Sequence, residues 1–123
     1  MDSNAESAGP TEEFDGRTSQ MRIGSPWLAA EDLEGLGDVK VTIKRITHHR
    51  KAVFQNGKEQ EVYAIEFEGA YKRMVLNTTN RKMIKEMYGP NVSEWKGKEL
   101  CLYHDKNVRY MGEISGGIRV RLR

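Results

Sequence analysis

The sequence predicts a mainly β protein with one folded domain, in which five strands form a Greek-key barrel and one α-helix lies between the third and fourth strands. Two observations lead to this prediction. Apolar and polar side chains alternate over most of the chain after residue 38, and after that point only residues 77–88 have the spacing of a helix. A length of 123 residues is also the size of a single domain.

The chain divides into an acidic N-terminal tail, residues 1–24, and a folded domain, residues 25–123. Residues 1–39 carry nine acidic and two basic side chains, a balance of −7, whereas residues 40–123 carry a balance of +9. Phe14 is the only Leu, Ile, Val or Phe before residue 23. Because so few apolar side chains cannot offset the entropy of ordering, we expect the tail to be disordered.

The folded domain is expected to begin with an anchor and a short helical turn. Trp27 follows a proline in an extended segment, and its large apolar side chain is expected to cover a barrel end. Residues 29–36 have helical spacing and end near Gly35 and Gly37, which predicts one short turn of helix.

The first strand is expected to be long and bulged. Its alternating residues change phase partway along the strand, from Val39, Val41 and Ile43 to Ile46 and His48. One extra residue near positions 44–45 produces such a slip. A β-bulge at this point lets a long strand bend around the corner of a small barrel.

The second and third strands are expected to form an antiparallel hairpin. Asn56-Gly57 predicts a tight turn before the second strand, residues 61–68, and residues 71–76 return as the third strand. The core face of the second strand is expected to carry Tyr63, Ile65 and Phe67. Its outer face is expected to carry Val62, Ala64, Glu66 and Glu68.

A helix and two further strands complete the predicted domain. Asn77 or Thr78 offers an N-cap oxygen, and Gly89-Pro90 ends the helix. Its apolar stripe is expected to consist of Met83, Ile84, Met87 and Tyr88. Strands follow at residues 98–104 and 118–123, with a short extra strand at residues 108–111 and with Trp95 as a structural anchor.

This order of elements resembles the OB-fold, a five-stranded Greek-key barrel. The competing architecture is an SH3-like barrel with a helical insertion. In addition, the runs at residues 74–80, 87–89 and 95–103 (MVLNTTN, MYG and WKGKELCLY) are similar to those of small, uncharacterised phage and prophage proteins. That resemblance covers about residues 26–123 and implies a role in a phage or another mobile element.

Several classes of function are excluded at this stage. No apolar run is long enough to cross a membrane, the N-terminus does not have the pattern of a signal peptide, and Cys101 has no second cysteine to pair with, so we expect a cytoplasmic protein. His48 and His49 are adjacent on a strand and point to opposite faces, so no metal site is expected. No catalytic motif is present either, and we expect neither an enzyme nor a cofactor.

Nucleic-acid binding has the strongest physical support in the sequence. In an OB-fold, the loops after the first and fourth strands flank the ligand face, and here both loops carry cations. Single-strand binders combine such cations with aromatic faces on which bases stack. The predicted binding residues are Arg50, Lys51, Lys58, Tyr71, Arg73, Tyr103, Lys106, Arg109 and Tyr110.

The expected outer face of the second strand argues against this function, because Glu66 and Glu68 would repel phosphates there. The alternative hypothesis is therefore a protein-interaction module, in which these carboxylates and the acidic tail meet a basic partner.

Overall fold

The computed structural model of the protein describes residues 11–54, 57–107 and 117–122. Its strands are β1 (Val39–Val53), β2 (Glu59–Phe67), β3 (Met74–Val75), β4 (Glu99–His104) and β5 (Ile118–Arg121). Its α-helices are α1 (Ala30–Leu33) and α2 (Thr78–Tyr88), and Thr18–Met21 and Val92–Glu94 form 3₁₀ turns. All strand pairs are antiparallel, and the order across the sheet is β3-β2-β1-β4-β5.

β1 is the strand that joins the two halves of this sheet. Its first residues, 39–42, pair with β4, and from Ile43 onward it pairs with β2. The register of the β1–β2 pair shifts between Ile43 and Arg45, so the bulge predicted from the change of phase is confirmed. Because the bulge adds one residue, Ile43 and Ile46 both pack into the core even though an odd number of positions separates them.

The fold is mainly β with a five-stranded antiparallel sheet, as expected, but the sheet is not closed over the described residues, since β3 and β5 are its edges. β3 is shorter than the predicted strand at residues 71–76. On the edge of β3 away from β2, the chain pairs with an earlier segment. Leu28 N–H donates to Arg73 O at 2.8 Å, and Arg73 N–H donates to Pro26 O at 2.8 Å. Closure into a barrel therefore stays a prediction.

Helix α2 closes one side of the core. The side chain of Asn77 accepts a hydrogen bond from Asn80 N–H at 2.9 Å, which confirms the predicted N-cap, and Gly89 ends the helix at a φ of 94°. The Asn80 side chain donates to Ile118 O at 3.0 Å and so ties the helix to β5. Ile84 is fully buried, whereas Met83, which was expected in the apolar stripe, lies outside it with 41% of its surface exposed.

Trp95 is buried, as expected of an anchor, and its indole N–H donates to Gly89 O at 2.9 Å. Leu100 and Leu102 of β4 are buried with it in the main core. In the part of the chain that the structure describes, no helix has the length and apolar character that crossing a bilayer requires.

Two arginines attach the end of the predicted tail to the domain. Arg22 donates to Trp27 O and to an Asp32 carboxylate oxygen, both at 3.1 Å, and Lys72 approaches the other Asp32 oxygen at 2.7 Å. Arg17 donates to the Glu34 carbonyl at 2.8 Å. The domain boundary at residue 24 and disorder before it stay predictions.

Replacing Ile84 with Ala should destabilise the protein by about 2–5 kcal/mol, because the substitution leaves a cavity between α2 and the sheet. The matched control is Met83→Ala on the adjacent, exposed position, which should cost about 0.5 kcal/mol or less. Urea denaturation of both variants measures the difference, and equal losses would contradict the packing of this helix.

Candidate nucleic-acid interface

The part of the β1–β2 hairpin beyond the core forms a two-stranded ribbon, which we define as residues 48–53 and 59–63. Among the described residues, β4 pairs with residues 39–42 of β1. β3 pairs with β2 at Ala64 and Ile65, and Leu76 N–H donates one further bond to Tyr63 O at 2.9 Å. Within the part of the chain that the structure describes, the ribbon therefore has two faces and no third strand along most of its length. Side chains alternate between the two faces except at the register shift between His49 and Ala52, and the two faces have different surroundings.

One face of the ribbon is packed against the segment that contains Trp27. Apolar residues gather there in a second buried cluster, made of Trp27, Ala52, Phe54, Val62, Ala64 and Val75. The Trp27 and Phe54 rings lie 4.9 Å apart. Trp27 is confirmed as a buried anchor, and it covers this face of the sheet. The expectation that Val62 and Ala64 lie on an open outer face is wrong, because both are buried in the same cluster as Trp27.

A row of polar side chains borders this packed face. Arg45 Nε donates to Glu66 Oε1 at 2.9 Å, and the Thr47 hydroxyl lies 3.4 Å from the other Glu66 oxygen. The same hydroxyl lies 2.8 Å from Nε2 of His49. The charge of Glu66 is thus paired with an arginine, which weakens the repulsion of phosphates expected from this residue. Glu68 is exposed at the end of the strand.

Arg73 lies over Trp27, with its guanidinium carbon 4.6 Å from the ring centroid. Among the described residues its Nε is buried without a hydrogen-bond partner. A guanidinium held over an indole in this way is a cation–π contact. Arg73 is consequently part of the packing around Trp27, which lies 5.4 Å from the His49 ring in an edge-on arrangement.

Burial and then the nearby Arg73 charge lower the pKa of His49 from its usual 6.5, and His48 acts in the same direction. Glu66 opposes them, but its effect is smaller than that of Arg73. The neutral imidazole is therefore the form that suits the folded protein at this position.

The other face of the ribbon is open and carries a pair of stacked rings. His48 and Tyr63 pair across the strands, with ring centroids 4.5 Å apart and planes inclined by 13°. His48 Nε2 lies 2.6 Å from a Glu61 oxygen, and Arg50 lies 4.0 Å from the same oxygen. Tyr63 was expected in the core, and this expectation is wrong, since 54% of its surface is exposed.

The prediction for Tyr63 is wrong because alternation along a strand shows which face a side chain is on. It does not show where along that face the core ends. Tyr63 does share a face with Ile65, which is fully buried. Beyond Ile65, however, this face runs out onto the ribbon, where the main core no longer covers it. The sequence signal for this site is that His48 and Tyr63 occupy paired positions on β1 and β2. The pairing can be recognised only after the bulge in β1 has been placed correctly.

The tip of the ribbon carries three of the predicted binding residues. Gly57 has a φ of 82° and donates its N–H to Phe54 O at 2.8 Å, which allows the tight reversal that the sequence predicted. Asn56 lies outside the described residues. Near this turn Arg50, Lys51 and Lys58 are all exposed, and the Arg50 side chain keeps 80% of its accessible surface.

The remaining predicted residues lie elsewhere. Tyr71 is exposed and donates its hydroxyl hydrogen to Gly24 O at 3.3 Å. Tyr103 lies beneath the guanidinium of Arg121, at 4.0 Å, while Arg121 also pairs with Asp38 at 2.6 Å. Because β4 runs antiparallel to the first residues of β1, Tyr103 and the exposed Lys106 lie at the opposite end of β1 from the ribbon tip.

Arg109 and Tyr110 lie outside the described residues, and so does the predicted extra strand at residues 108–111. Within residues 11–54, 57–107 and 117–122, no three His, Cys, Asp or Glu side chains are grouped so as to hold a metal ion. Comparisons with protein-family models, with curated proteins and with solved structures find no significant match to this chain.

The lowered pKa of His49 leads to a prediction about how the stability of the fold depends on pH. At pH values between the usual pKa of 6.5 and the lower pKa of the folded protein, the unfolded chain binds more protons than the folded protein does. The stabilising effect of neutral His49 is therefore fully present above 6.5 and is lost as the pH falls through the folded pKa. Urea denaturation should show a smaller loss of stability on acidification in His49→Gln than in the unmodified protein.

The control for that comparison is His104→Gln, which removes an imidazole from β4 at the other end of the sheet. An identical pH dependence in the His49→Gln variant and the unmodified protein would contradict the assignment.

Proposed function

We propose that the protein is a non-enzymatic, single-stranded nucleic-acid-binding domain, and that the bound strand crosses the β1–β2 ribbon near its tip. The observation that carries this proposal is the group of three exposed cations, Arg50, Lys51 and Lys58, on a ribbon that projects beyond the core. Cations on an exposed projection attract phosphates and release counterions when a strand binds. Replication or recombination of a phage or another mobile element is the process in which we place this activity.

The structure of the ribbon favours a single strand over a duplex. A bare two-stranded ribbon fits the major groove of DNA, where it reads the edges of paired bases. Here one face of the ribbon is packed against Trp27 and its neighbours, which makes the projection thicker than a bare ribbon. The open face and the cations near the tip are exposed, and they suit a backbone that lies across the surface.

An OB-like barrel is part of this proposal. The strand order β3-β2-β1-β4-β5 and the position of α2 between β3 and β4 both support it. Joining β3 to β5 would complete the barrel. The bulge in β1 supports the same architecture, because it lets one strand belong to both halves of a small barrel.

The protein-interaction hypothesis has less support. It depends on Glu66, Glu68 and the acidic tail as the groups that meet a basic partner, and one of these groups, Glu66, is bound to Arg45. A partner that is recovered from a pull-down after nuclease treatment, together with a failure to bind oligonucleotides, would favour that hypothesis instead.

Replacing Arg50, Lys51 and Lys58 together with Ala should weaken binding to a labelled single-stranded oligonucleotide. It should also reduce the slope of log affinity against log salt by about 2, because each phosphate contact on a single strand contributes about 0.7. Fluorescence anisotropy over a salt series measures both effects. The variant should retain the stability of the unmodified protein.

The matched control replaces Arg81, Lys82 and Lys85 with Ala. These exposed residues of α2 also comprise one arginine and two lysines, so the net charge changes equally. An equal loss of affinity in both triple variants would assign binding to net charge alone. If no oligonucleotide binds at tens of micromolar protein and low salt, the proposal is wrong, and tighter binding of a duplex of the same sequence would contradict the preference for single strands.

A further inference from the structure

We infer that Tyr63 and His48 form a base-stacking site on the open face of the ribbon, where an unpaired nucleic-acid base lies against the exposed side of the ring pair. This inference rests on the proposed function and specifies where a base is held, in addition to the phosphates. The binding residues predicted from the sequence do not include these two side chains.

The geometry of the ring pair leaves a stacking surface available. The two rings face each other at 4.5 Å with nearly parallel planes, so each covers one side of the other. Tyr63 nevertheless keeps 54% of its surface exposed, and the main core ends at Ile65, its neighbour on the same face. A flat aromatic ligand can therefore extend the stack, as bases do on the aromatic side chains of single-strand binders.

The rings are also held in place before any ligand arrives. Both lie on paired strands, and His48 Nε2 is fixed by its 2.6 Å contact with Glu61. The packed face behind them is anchored by Trp27 and Phe54. Ordering side chains on binding costs affinity, so a stack that is already ordered binds a base at lower cost than mobile rings would.

Cations lie close enough to hold the backbone of a stacked nucleotide. Arg50 follows His48 by two positions on the same strand, a rise of about 7 Å, and it shares the contact with Glu61 that places it on the open face. Lys51 and Lys58 continue toward the tip. A base on the ring pair thus has its phosphates directed to the three cations already described.

The chemical class of the ligand follows from the groups present. The Tyr63 ring offers a face without a set of donors and acceptors arranged to read a base edge, so every base can stack and the site should be tolerant of sequence. Bases in a duplex have both faces covered by their neighbours, and the site therefore selects unpaired bases.

Replacing Tyr63 with Ala should weaken binding of a labelled single-stranded oligonucleotide by about 5-fold to 100-fold. The slope of affinity against salt should stay unchanged, because no charge is removed. Tyr63→Phe keeps the ring and should retain the affinity. The control is Met83→Ala, which truncates another exposed apolar side chain, on α2 and outside the ribbon. This variant should bind as the unmodified protein does.

An abasic oligonucleotide of the same length separates stacking from a structural effect. Tyr63→Ala and the unmodified protein should bind it equally, since it presents phosphates without bases. If Tyr63→Ala weakens binding of the abasic strand as much as binding of the normal strand, the inference is overturned. Unchanged binding of the normal strand by Tyr63→Ala would also overturn the inference, but the proposed function would still stand. Absence of binding by the unmodified protein would overturn both.

A measurement on the unmodified protein covers the case in which Tyr63→Ala fails to fold. The ring protons of Tyr63 should shift upfield in NMR spectra when the normal oligonucleotide is added, because a stacked base shields them. The abasic strand should cause no such shift. Equal shifts with both strands, or none with either while binding is observed, would overturn the stacking site.

Discussion

The structure depends on β1 forming hydrogen bonds with two different neighbours along its length. Its first four residues need β4 on one side, and the remainder needs β2 on the other. A regular strand cannot keep one apolar face inward through such a change of partner, because its side chains alternate strictly. The extra residue near position 44 resets the alternation, so that Ile43 and Ile46 both reach the core and the chain continues into the ribbon.

The ribbon in turn requires support, because an isolated two-stranded hairpin is marginally stable in water. Residues 26–28 provide that support when they pair with the backbone of Arg73 and place Trp27 against the packed face. Arg22 and Lys72 hold the same region through Asp32. Because one face of the ribbon is buried, the proposed ligand would have to bind to the other face.

The features that depend on local pattern were predictable from the sequence. The phase slip located the bulge, Asn77 and Gly89 located the ends of α2, and the apolar character of Trp27 identified an anchor. The positions of residues that depend on long-range packing were not. Alternation assigned Tyr63 to the correct face but could not show that the core ends at Ile65.

The candidate site shows the same division. Charge in the sequence located the three cations at the ribbon tip, because exposed lysines and arginines near a turn need no tertiary information. Arg73 is the opposite case, because its contact with Trp27 was not predictable from the sequence. Its position against Trp27 brings together residues 46 positions apart, and no local pattern reports a contact across that distance. Glu66 likewise is neutralised by Arg45 on a neighbouring strand, which depends on the register that the bulge sets.

Under the proposed function, the balance of charge on the open face would require stacking to contribute to binding. Glu61 lies beside both His48 and Arg50 and orients both side chains. Its negative charge also reduces the positive potential where the rings are exposed. Three cations can neutralise only a few phosphates, and electrostatic attraction of that size is readily screened by salt. Contact with a base face is not screened in this way. If the protein binds as proposed, a strand with unpaired bases gains affinity from the ring pair that a duplex or a simple polyanion does not, and selectivity arises from the one interaction that paired bases cannot make.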